Sequence, residues 1–236
     1  MLKIINLFKQ YPNGVEAVKN LNIHVKQCEI YCMLGANGAG KTTTVNMIFN
    51  FIPPTSGQIL VNNFDVAEDP LSAKKHLAYV SENVMLYDNF TGIQNIDFFA
   101  KIGGKKEYQK SDYVKILNKV GLPDEAHSRR IKTYSKGMRQ KCGIAIAIAK
   151  NADVIILDEP TSGLDPKSGR DFLDLLYELR NEGKAILMTT HDIFRAKEIA
   201  DKVGIMMEGS LVKELLHKDF ENTDLEEIYL NYAQAK

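Results

Sequence analysis

The sequence predicts a doubly wound α/β domain with a helical insertion, and three observations support this prediction. Short apolar runs of strand length occur at Glu29–Leu34, Val154–Leu157 and Ala185–Thr190, as the buried strands of a parallel sheet require. Stretches with the apolar spacing of amphipathic helices separate these runs. From about Tyr87 to Lys150 the pattern is helical throughout, so we expect a group of helices to be inserted into the α/β core.

The individual elements follow from the pattern in chain order. Apolar alternation predicts strands at Leu2–Lys9 and Ala17–Val25, with a turn at Tyr11–Gly14 between them. A helix is predicted from Thr42 to Asn50, and Gln58–Asp65 has the pattern of a hairpin. The other predicted elements are the strands Leu77–Val80 and Val203–Met207 and the helices Ile93–Ile102, Tyr113–Val120, Lys167–Arg180, Phe194–Ala200 and Leu225–Ala235.

Length and composition argue against several classes of protein. The 236 residues suffice for one α/β domain, and 30 acidic residues balance 30 basic ones, which argues against a general nucleic-acid binder. No apolar run approaches the roughly 18 residues of a membrane span, and the first residues lack the pattern of a secretory signal, so we expect a cytoplasmic protein. Cys28, Cys32 and Cys142 lack zinc-ligand spacing and are expected to be buried reduced thiols.

A glycine-rich segment between a predicted strand and a predicted helix carries the strongest functional signal. Gly35–Thr42 reads G-x-x-x-x-G-K-T, which in this context is typical of a phosphate-binding loop. Glycines let the backbone wrap around a polyphosphate, with N–H groups pointing inward at a helix N-terminus. Lys41 is expected to reach the β- and γ-phosphates of a nucleoside triphosphate, and Thr42 to bind Mg²⁺. The predicted nucleotide-binding residues of this segment are Gly35, Asn37, Gly38, Gly40, Lys41, Thr42 and Thr43.

A phosphate loop alone leaves kinases, GTPases, helicases and transport ATPases open, and three further residues narrow this choice. Asp158 ends a buried strand and is expected to hold Mg²⁺ through water. Glu159 is the candidate base that polarises the water attacking the γ-phosphate. His191 follows another buried strand, at the edge of the sheet where it would contact the γ-phosphate. We therefore expect Glu159 and His191 to be the catalytic residues.

In their order and spacing, these motifs resemble those of the ATP-binding cassette (ABC) transporters over essentially the whole chain. Gly35–Thr42 is similar to the family's Walker A loop, Val154–Glu159 to its Walker B strand and Ser162–Asp165 to its D-loop. The resemblance implies that His191 is the switch histidine and that Tyr11 stacks on adenine. It also implies an α/β phosphate-loop NTPase (RecA-like) core with an antiparallel β subdomain and a helical signature subdomain, with ATP and Mg²⁺ as cofactors.

Two segments depart from the family's usual residues. Tyr134–Gln140 stands in place of the signature, usually L-S-G-G-Q, and keeps Ser135 and Gly137. The resemblance implies that these two residues contact the ATP bound by a second subunit, and that Asp165 is a further nucleotide contact. In the Q-loop, Glu82 replaces the usual glutamine, and we expect it to contact Mg²⁺ and to link the active site to the helical insertion. Taken alone, these segments would also fit a helix cap and a solvated loop glutamate.

The resemblance implies a single ABC ATPase domain over residues 1–236. The nucleotide-binding core would comprise about 1–81 and 151–212, and the helical subdomain about 82–150. Residues 213–236 would form a C-terminal helical tail. The aromatic residues of the insertion either pack its core or line a groove for a helix of a membrane partner; these residues are Tyr87, Phe90, Phe98 and Phe99.

The expected function is that of an ATP-hydrolysing transporter subunit. It would pair head-to-tail with a second nucleotide-binding subunit in an ATP-dependent manner and energise separate transmembrane permease subunits, without a nucleic-acid partner. Its expected place is peripheral, on the cytoplasmic face of the inner or plasma membrane. The signature S-K-G-M, Glu82 and the tail Asp224–Leu230 are similar to the subgroup that energises ABC-2-type exporters. The alternatives are an importer ATPase and a soluble single-cassette ABC ATPase without a membrane partner.

Overall fold

The computed structural model describes residues 1–104, 108–220 and 225–234, and it contains two β-sheets and the helices around them. The strands are β1 (Leu2–Gln10), β2 (Glu16–Val25), β3 (Glu29–Leu34), β4 (Ser56–Val61), β5 (Phe64–Asp65), β6 (Leu77–Val80), β7 (Val154–Asp158), β8 (Ala185–Thr190), β9 (Lys202–Met207) and β10 (Ser210–Leu216). The helices are α1 (Lys41–Ile48), α2 (Pro70–His76), α3 (Gly92–Ile102), α4 (Lys110–Lys119), α5 (Asp124–His127), α6 (Lys136–Lys150), α7 (Pro166–Asn181), α8 (Ile193–Ile199) and α9 (Leu225–Gln234).

The smaller sheet is antiparallel, with the strand order β2-β1-β4-β5. Its last two strands form the predicted hairpin. Asn62 and Asn63 connect them with φ angles of 48° and 68°, the left-handed conformation that a tight two-residue hairpin turn requires. Asparagine adopts this conformation more readily than most residues, so the turn chemistry and the structure agree.

The larger sheet has the order β10-β9-β3-β8-β7-β6 and is parallel except for β10. Leu34 at the end of β3 pairs with Thr190 of β8, and Asp158 at the end of β7 pairs with Thr189. The carboxyl ends of these three strands therefore lie at one edge of the sheet. Ligands of open parallel sheets bind at this edge, which here carries the glycine-rich loop and the acidic residues.

Strand β3 separates two hydrophobic clusters because its side chains alternate between the faces of the sheet. Ile30, Cys32 and Leu34 pack with the helices, including α6 and α7. Tyr31 and Met33 pack on the other face with residues of the antiparallel sheet and α1. The predicted α/β core with an antiparallel subdomain is therefore observed.

The cysteines differ from the expectation at one position. Cys32 and Cys142 are buried thiols, and burial raises the pKa of Cys142 to about 12. Burial also raises the pKa of the Cys32 thiol far above its ordinary value. Cys28 is exposed instead, because it lies in the turn before β3 with a φ of 57°. The prediction of a buried thiol was wrong for Cys28.

The C-terminal region also differs from the expected helical tail. Lys213–Leu216 belongs to β10, which pairs with β9 after a turn at Glu208 and Gly209, both with positive φ. The antiparallel pairing satisfies backbone hydrogen-bonding groups that a helix would satisfy internally. The alternation of apolar and polar residues in β10 is weak because this edge strand carries charged residues. The predicted terminal helix is present as α9, while Asp224 and Ala235 of the predicted tail lie outside the described residues. Within the described ranges, no helix combines the length and apolar character needed to cross a membrane.

Helix α6 joins the helical subdomain to the parallel sheet at a close contact. A Cβ atom on Gly143 would lie 3.0 Å from Val80 Cγ1 and 3.3 Å from Val84 Cγ1. The helix thus approaches β6 more closely than a larger residue would allow. The contact lies in the middle of α6 and holds the helix against β6 and Val84.

Replacing Gly143 with leucine should therefore overpack this contact and lower the free energy of unfolding by about 1–3 kcal/mol. Urea denaturation monitored by circular dichroism measures the change. Lys115→Leu is the control, since the Lys115 side chain on α4 is 79% exposed and its replacement should change stability by about 0.5 kcal/mol or less. Equal stability of both variants would show that α6 does not depend on this close approach.

Candidate nucleotide-binding site

The glycine-rich loop between β3 and α1 is wedged between the two sheets. A Cβ atom on Gly35 would lie 2.5 Å from the carbonyl oxygen of Met206 in β9. At Gly40, where φ is 101°, a Cβ atom would lie 2.4 Å from the carbonyl oxygen of Ala17 in β2. Only glycine fits at these positions, so the loop backbone is held in place by both sheets.

Lys41, the first residue of α1, is buried at the base of this loop. Its Nζ atom donates to the carbonyl oxygen of Gly35 at 2.6 Å and to that of Ala36 at 3.3 Å. The same atom lies 3.4 Å from Oε1 of Glu159. The ammonium group is therefore placed between the loop that would hold phosphates and an acidic side chain of the opposite wall.

Asp158 is oriented by two hydroxyl groups at the end of β7. The Thr189 hydroxyl donates to Oδ1 of Asp158, and the Tyr79 hydroxyl donates to Oδ2 at 3.3 Å. Burial and the negative charge of Asp158 raise the pKa of Tyr79 to about 12, so Tyr79 keeps its proton and acts as a donor at neutral pH. Asp158 thus remains fixed at the sheet edge.

Glu159 has a φ of 48°, an uncommon left-handed conformation for a glutamate. Its N–H group donates to the carbonyl oxygen of Thr189 at 3.1 Å and approaches the hydroxyl oxygen at 3.2 Å. Its Oε2 lies 2.9 Å from Nδ1 of His191 and accepts from the His191 N–H at 3.3 Å. Oε1 is buried, and within the described structure it lacks a hydrogen-bond partner. The Oε1 atom of Glu159 is therefore held by its ion pair with Lys41 and not by a hydrogen bond.

These residues line a cleft of about 580 Å³. Most of the predicted nucleotide and metal contacts are found in its wall; they are Asn37, Gly38, Gly40, Lys41, Thr42, Thr43, Glu82 and Asp158. The predicted catalytic residue Glu159 also lines the cleft. Sequence reasoning missed a second set of wall residues that comes from β2 and the β9–β10 turn, and this set is Val15, Glu16, Ala17, Lys19 and Glu208. These residues have no motif of their own and reach the cleft only through packing of the two sheets.

The wall residues fit MgATP. The glycine loop leaves backbone N–H groups at the start of α1, and the hydroxyl of Thr42 with the carboxylates of Asp158 and Glu82 is the oxygen set that Mg²⁺ prefers. In the part of the chain that the structure describes, no group of three or more histidine, cysteine, aspartate or glutamate residues is placed to hold a metal ion alone.

Five predicted nucleotide contacts do not line the cleft: one is Gly35, which packs against β9, and the other four lie elsewhere in the chain. The predicted catalytic residue His191 is not in the wall either. Tyr11 is not among the residues lining the cleft, and Lys9 Nζ lies 5.4 Å from its ring centroid. Ser135 caps α6 by accepting from the N–H of Met138 at 3.2 Å. Asp165 caps α7, and hydrogen bonds from Ser168 lower the pKa of the carboxyl group. Gly137 is likewise absent from the wall and faces Ser168, so adenine stacking and signature contacts stay predictions.

Glu82 lies on the cleft wall but its carboxylate is already engaged. Oε1 accepts from Ser162 Oγ at 3.0 Å and from Lys136 Nζ at 3.3 Å. These two hydrogen bonds lower the pKa of Glu82, so the side chain is charged at neutral pH. Gln140 of α6 donates to the Glu82 carbonyl oxygen at 2.8 Å. Glu82 thus contacts two residues of α6, while its role in linking the active site to the helical subdomain stays a prediction.

A sequence model of the family described as ABC transporter matches residues 18–162. The chain belongs to the ABC transporter family. This ABC protein is 36% identical to the human phospholipid-transporting ATPase ABCA3, over 89% of its own length and 12% of ABCA3. It is 35% identical to the carnitine transport ATP-binding protein OpuCA of Listeria monocytogenes, over 90% of its own length and 54% of OpuCA. The ATP-binding protein NatA of Bacillus subtilis is 31% identical, over 95% of this chain and 93% of NatA. The chain thus spans a small part of ABCA3 and about half of OpuCA.

Solved ABC cassettes share the fold of this ABC protein. A structure described as the ATP-binding subunit of an ABC transporter superimposes with a TM-score of 0.87 at 26% identity, over 99% of this chain and 100% of the other. A dimeric structure of the cassette MJ0796 in a post-hydrolysis state bound to ADP and Pi has a TM-score of 0.82 at 26% identity, over 92% and 99%. The expected phosphate-loop NTPase fold and the assignment to the ABC ATPases are confirmed.

The Thr189 hydroxyl contacts both Asp158 and Glu159, and valine removes this hydroxyl with little change in side-chain volume. Thr189→Val should therefore lower kcat of ATP hydrolysis by about 10- to 100-fold. A malachite-green phosphate assay across Mg²⁺ concentrations measures the effect. Thr190→Val is the matched control, because the Thr190 hydroxyl accepts instead from the Asp192 N–H, at 3.0 Å. If both variants hydrolyse ATP equally, Thr189 does not orient the acids.

Proposed function

We propose that this chain is the ATP-binding and ATP-hydrolysing subunit of a transporter and that it energises a separate membrane permease. The proposal rests on the position of the Glu159 carboxylate, whose Oε1 lies 3.4 Å from Lys41 Nζ and whose Oε2 lies 2.9 Å from His191 Nδ1. A buried acceptor that lacks a hydrogen-bond partner within the described structure, next to a phosphate-binding lysine, suits a base that takes a proton from water.

Binding of the triphosphate would use the loop and its flanking residues. Backbone N–H groups at the start of α1 and the Lys41 ammonium would neutralise the β- and γ-phosphates. Mg²⁺, when bound, would reduce the negative charge that repels an attacking nucleophile. The residues that would hold it are Thr42, Asp158 and Glu82. Lys41 would exchange its bond to the Gly35 carbonyl for phosphate oxygens.

Hydrolysis would then depend on the orientation of Glu159. Its N–H group is anchored to Thr189 of the neighbouring strand, so the carboxylate has one backbone position from which to reach water. Glu159 would accept the water proton as the oxygen attacks the γ-phosphorus, and the bond from the γ-phosphorus to the bridging oxygen would break to release ADP. His191 would hold Oε2 through Nδ1, and its own exposed side chain would contact the γ-phosphate.

The complete site would require two copies of the chain in a head-to-tail pair. Ser135 and Gly137 lie at the N-terminal end of the 15-residue helix α6, a position that favours anions, yet they do not line the cleft of their own chain. A second molecule could accept this helix end at its own nucleotide. The similar cassette MJ0796 is described as dimeric, which supports pairing of two chains here.

The variant Glu159→Gln should accumulate as an ATP-bound dimer, because it keeps the side-chain shape but removes the acceptor for the proton. Size-exclusion chromatography with light scattering, with and without MgATP, measures the mass. The matched control is Lys41→Ala in the Glu159→Gln background, which should stay monomeric because the phosphates lose their cation. A monomeric Glu159→Gln protein with ATP bound would contradict the proposed pair.

The helical subdomain carries an apolar groove that we propose as the permease contact. Its wall includes Phe90, Phe98 and Ile102, with Gln94, Asp97 and Lys101 at polar positions. In this wall Ile102 is 68% exposed and Phe90 is 36% exposed. Exposed apolar residues around a groove are typical of a surface that receives an amphipathic helix. The occupant we propose is a cytoplasmic helix of the permease.

Changing Ile102 to glutamate should abolish co-purification of the permease, since burying an unpaired carboxylate in an apolar contact is unfavourable. Pull-down of tagged protein from solubilised membranes measures the loss. Leu71→Glu serves as a control, because Leu71 is 75% exposed on α2 and does not line the groove. Loss of ATP-driven dimerisation in the Ile102 variant would instead point to a folding defect.

Within this function we infer an ABC-2-type exporter. The segment Ser135–Met138 and Glu82 support this inference by their similarity to that subgroup. The observation that favours an importer is the 35% identity to the carnitine transport protein OpuCA. Purification of tagged Glu159→Gln protein with ATP from native membranes separates these options through the fold of the permease that it retains. A soluble assembly without a membrane protein would favour the single-cassette ATPase without a permease.

A further inference from the structure

The Glu82 side chain joins three segments that are far apart in the sequence. Its Oε1 atom accepts hydrogen bonds from Lys136 Nζ and Ser162 Oγ, at 3.3 Å and 3.0 Å. Glu82 follows β6 on the cleft wall, Lys136 is the first residue of α6, and Ser162 lies in the turn before α7. We call these three residues the Glu82 clasp.

The clasp pairs a negative charge with a positive one beside the cleft. A lone carboxylate near a triphosphate would repel it, because like charges at short distance are unfavourable. The Lys136 ammonium, 3.3 Å from Glu82, compensates that charge. Both hydrogen bonds end on Oε1, so neither of them uses the second carboxylate oxygen of Glu82.

The surrounding contacts keep the clasp segments at a fixed separation. Gln140, one turn further along α6, is fully buried and donates from Nε2 to the carbonyl oxygens of Ser81 and Glu82, at 3.1 Å and 2.8 Å. On the other side, a Cβ atom on Gly163 would lie 3.5 Å from Lys136 Nζ. Gly163 has a φ of 67°, so the lysine lies against a residue that has no side chain. The Lys136 side chain thus has a defined position between the Q-loop and the D-loop.

We propose that Lys136, assisted by Ser162, is a positioning residue for Glu82: it neutralises and orients the carboxylate beside MgATP. Because Lys136 directly follows Ser135, the clasp also connects the cleft of one chain to the helix end expected to reach the ATP of a second chain. The inference rests on the proposed function of the cleft and deepens it. The positioning role of Lys136 depends on Glu82, because a glutamine at position 82 leaves no charge for Lys136 to compensate.

A double-mutant cycle in the ATPase assay tests this dependence. Lys136→Ala should raise KM for MgATP about three- to five-fold with kcat nearly unchanged, the range expected for a partly exposed ion pair. In the Glu82→Gln background the same substitution should leave KM within about 1.5-fold, because the ion pair is already absent. Lys136→Arg should restore the wild-type KM. Lys132→Ala, which removes a nearby exposed cation outside the clasp, should leave KM unchanged.

A second readout uses the protein without nucleotide. Hydrogen–deuterium exchange of peptides covering residues 78–86 and 135–142 should be faster in Lys136→Ala than in the wild type. The Glu82→Gln variant and the double variant Glu82→Gln/Lys136→Ala should exchange at the same rate as each other. Equal effects of Lys136→Ala in both backgrounds, in KM and in exchange, would overturn the clasp. Absence of any ATP hydrolysis by the wild-type protein would overturn the proposed function instead, and the exchange cycle would still decide whether the clasp exists.

Discussion

The close approach of two sheets to the glycine-rich loop is the constraint on which the site depends. The carbonyl oxygens of Met206 and Ala17 occupy the space that side chains at Gly35 and Gly40 would need. The turn between β9 and β10 strengthens this contact, because Gly209 donates to the Ala39 carbonyl oxygen at 3.1 Å and accepts from the Lys19 N–H at 2.7 Å. The antiparallel sheet is therefore a structural part of the phosphate site and not a separate attachment to it.

This constraint explains which parts of the site could be predicted from the sequence. The glycine spacing, Lys41 and the acids after β7 were predictable because their chemistry is local: a short strand, a turn and a helix start. The walls from β2 and the β9–β10 turn were not, since Val15, Ala17 and Glu208 become neighbours of the loop only when both sheets pack. Among the elements, α2 and β10 were missed for a related reason, because short or edge elements carry weak periodicity.

Residues whose sequence context fits two roles show a second limit of prediction from the sequence. Ser135 and Asp165 act as helix caps in the structure, and a capping oxygen has the same chemistry as a group that contacts a ligand beyond the helix end. Sequence spacing cannot separate these roles, because both require a hydroxyl or carboxylate immediately before a helix. Glu82 is different, since its partner Lys136 is 54 positions away and only the packing of α6 on β6 reveals the pair.

The backbone of Glu159 has a consequence for how such a protein changes under selection. A left-handed conformation costs an ordinary residue about 1–2 kcal/mol, and glycine would relieve that cost at the same place. Glycine, however, has no carboxylate to present to water. The fold therefore keeps a local instability at the residue that we propose as the catalytic base. Variants selected in the laboratory for heat resistance alone should drift towards glycine or asparagine at this position and, if the proposal holds, lose turnover as they gain stability.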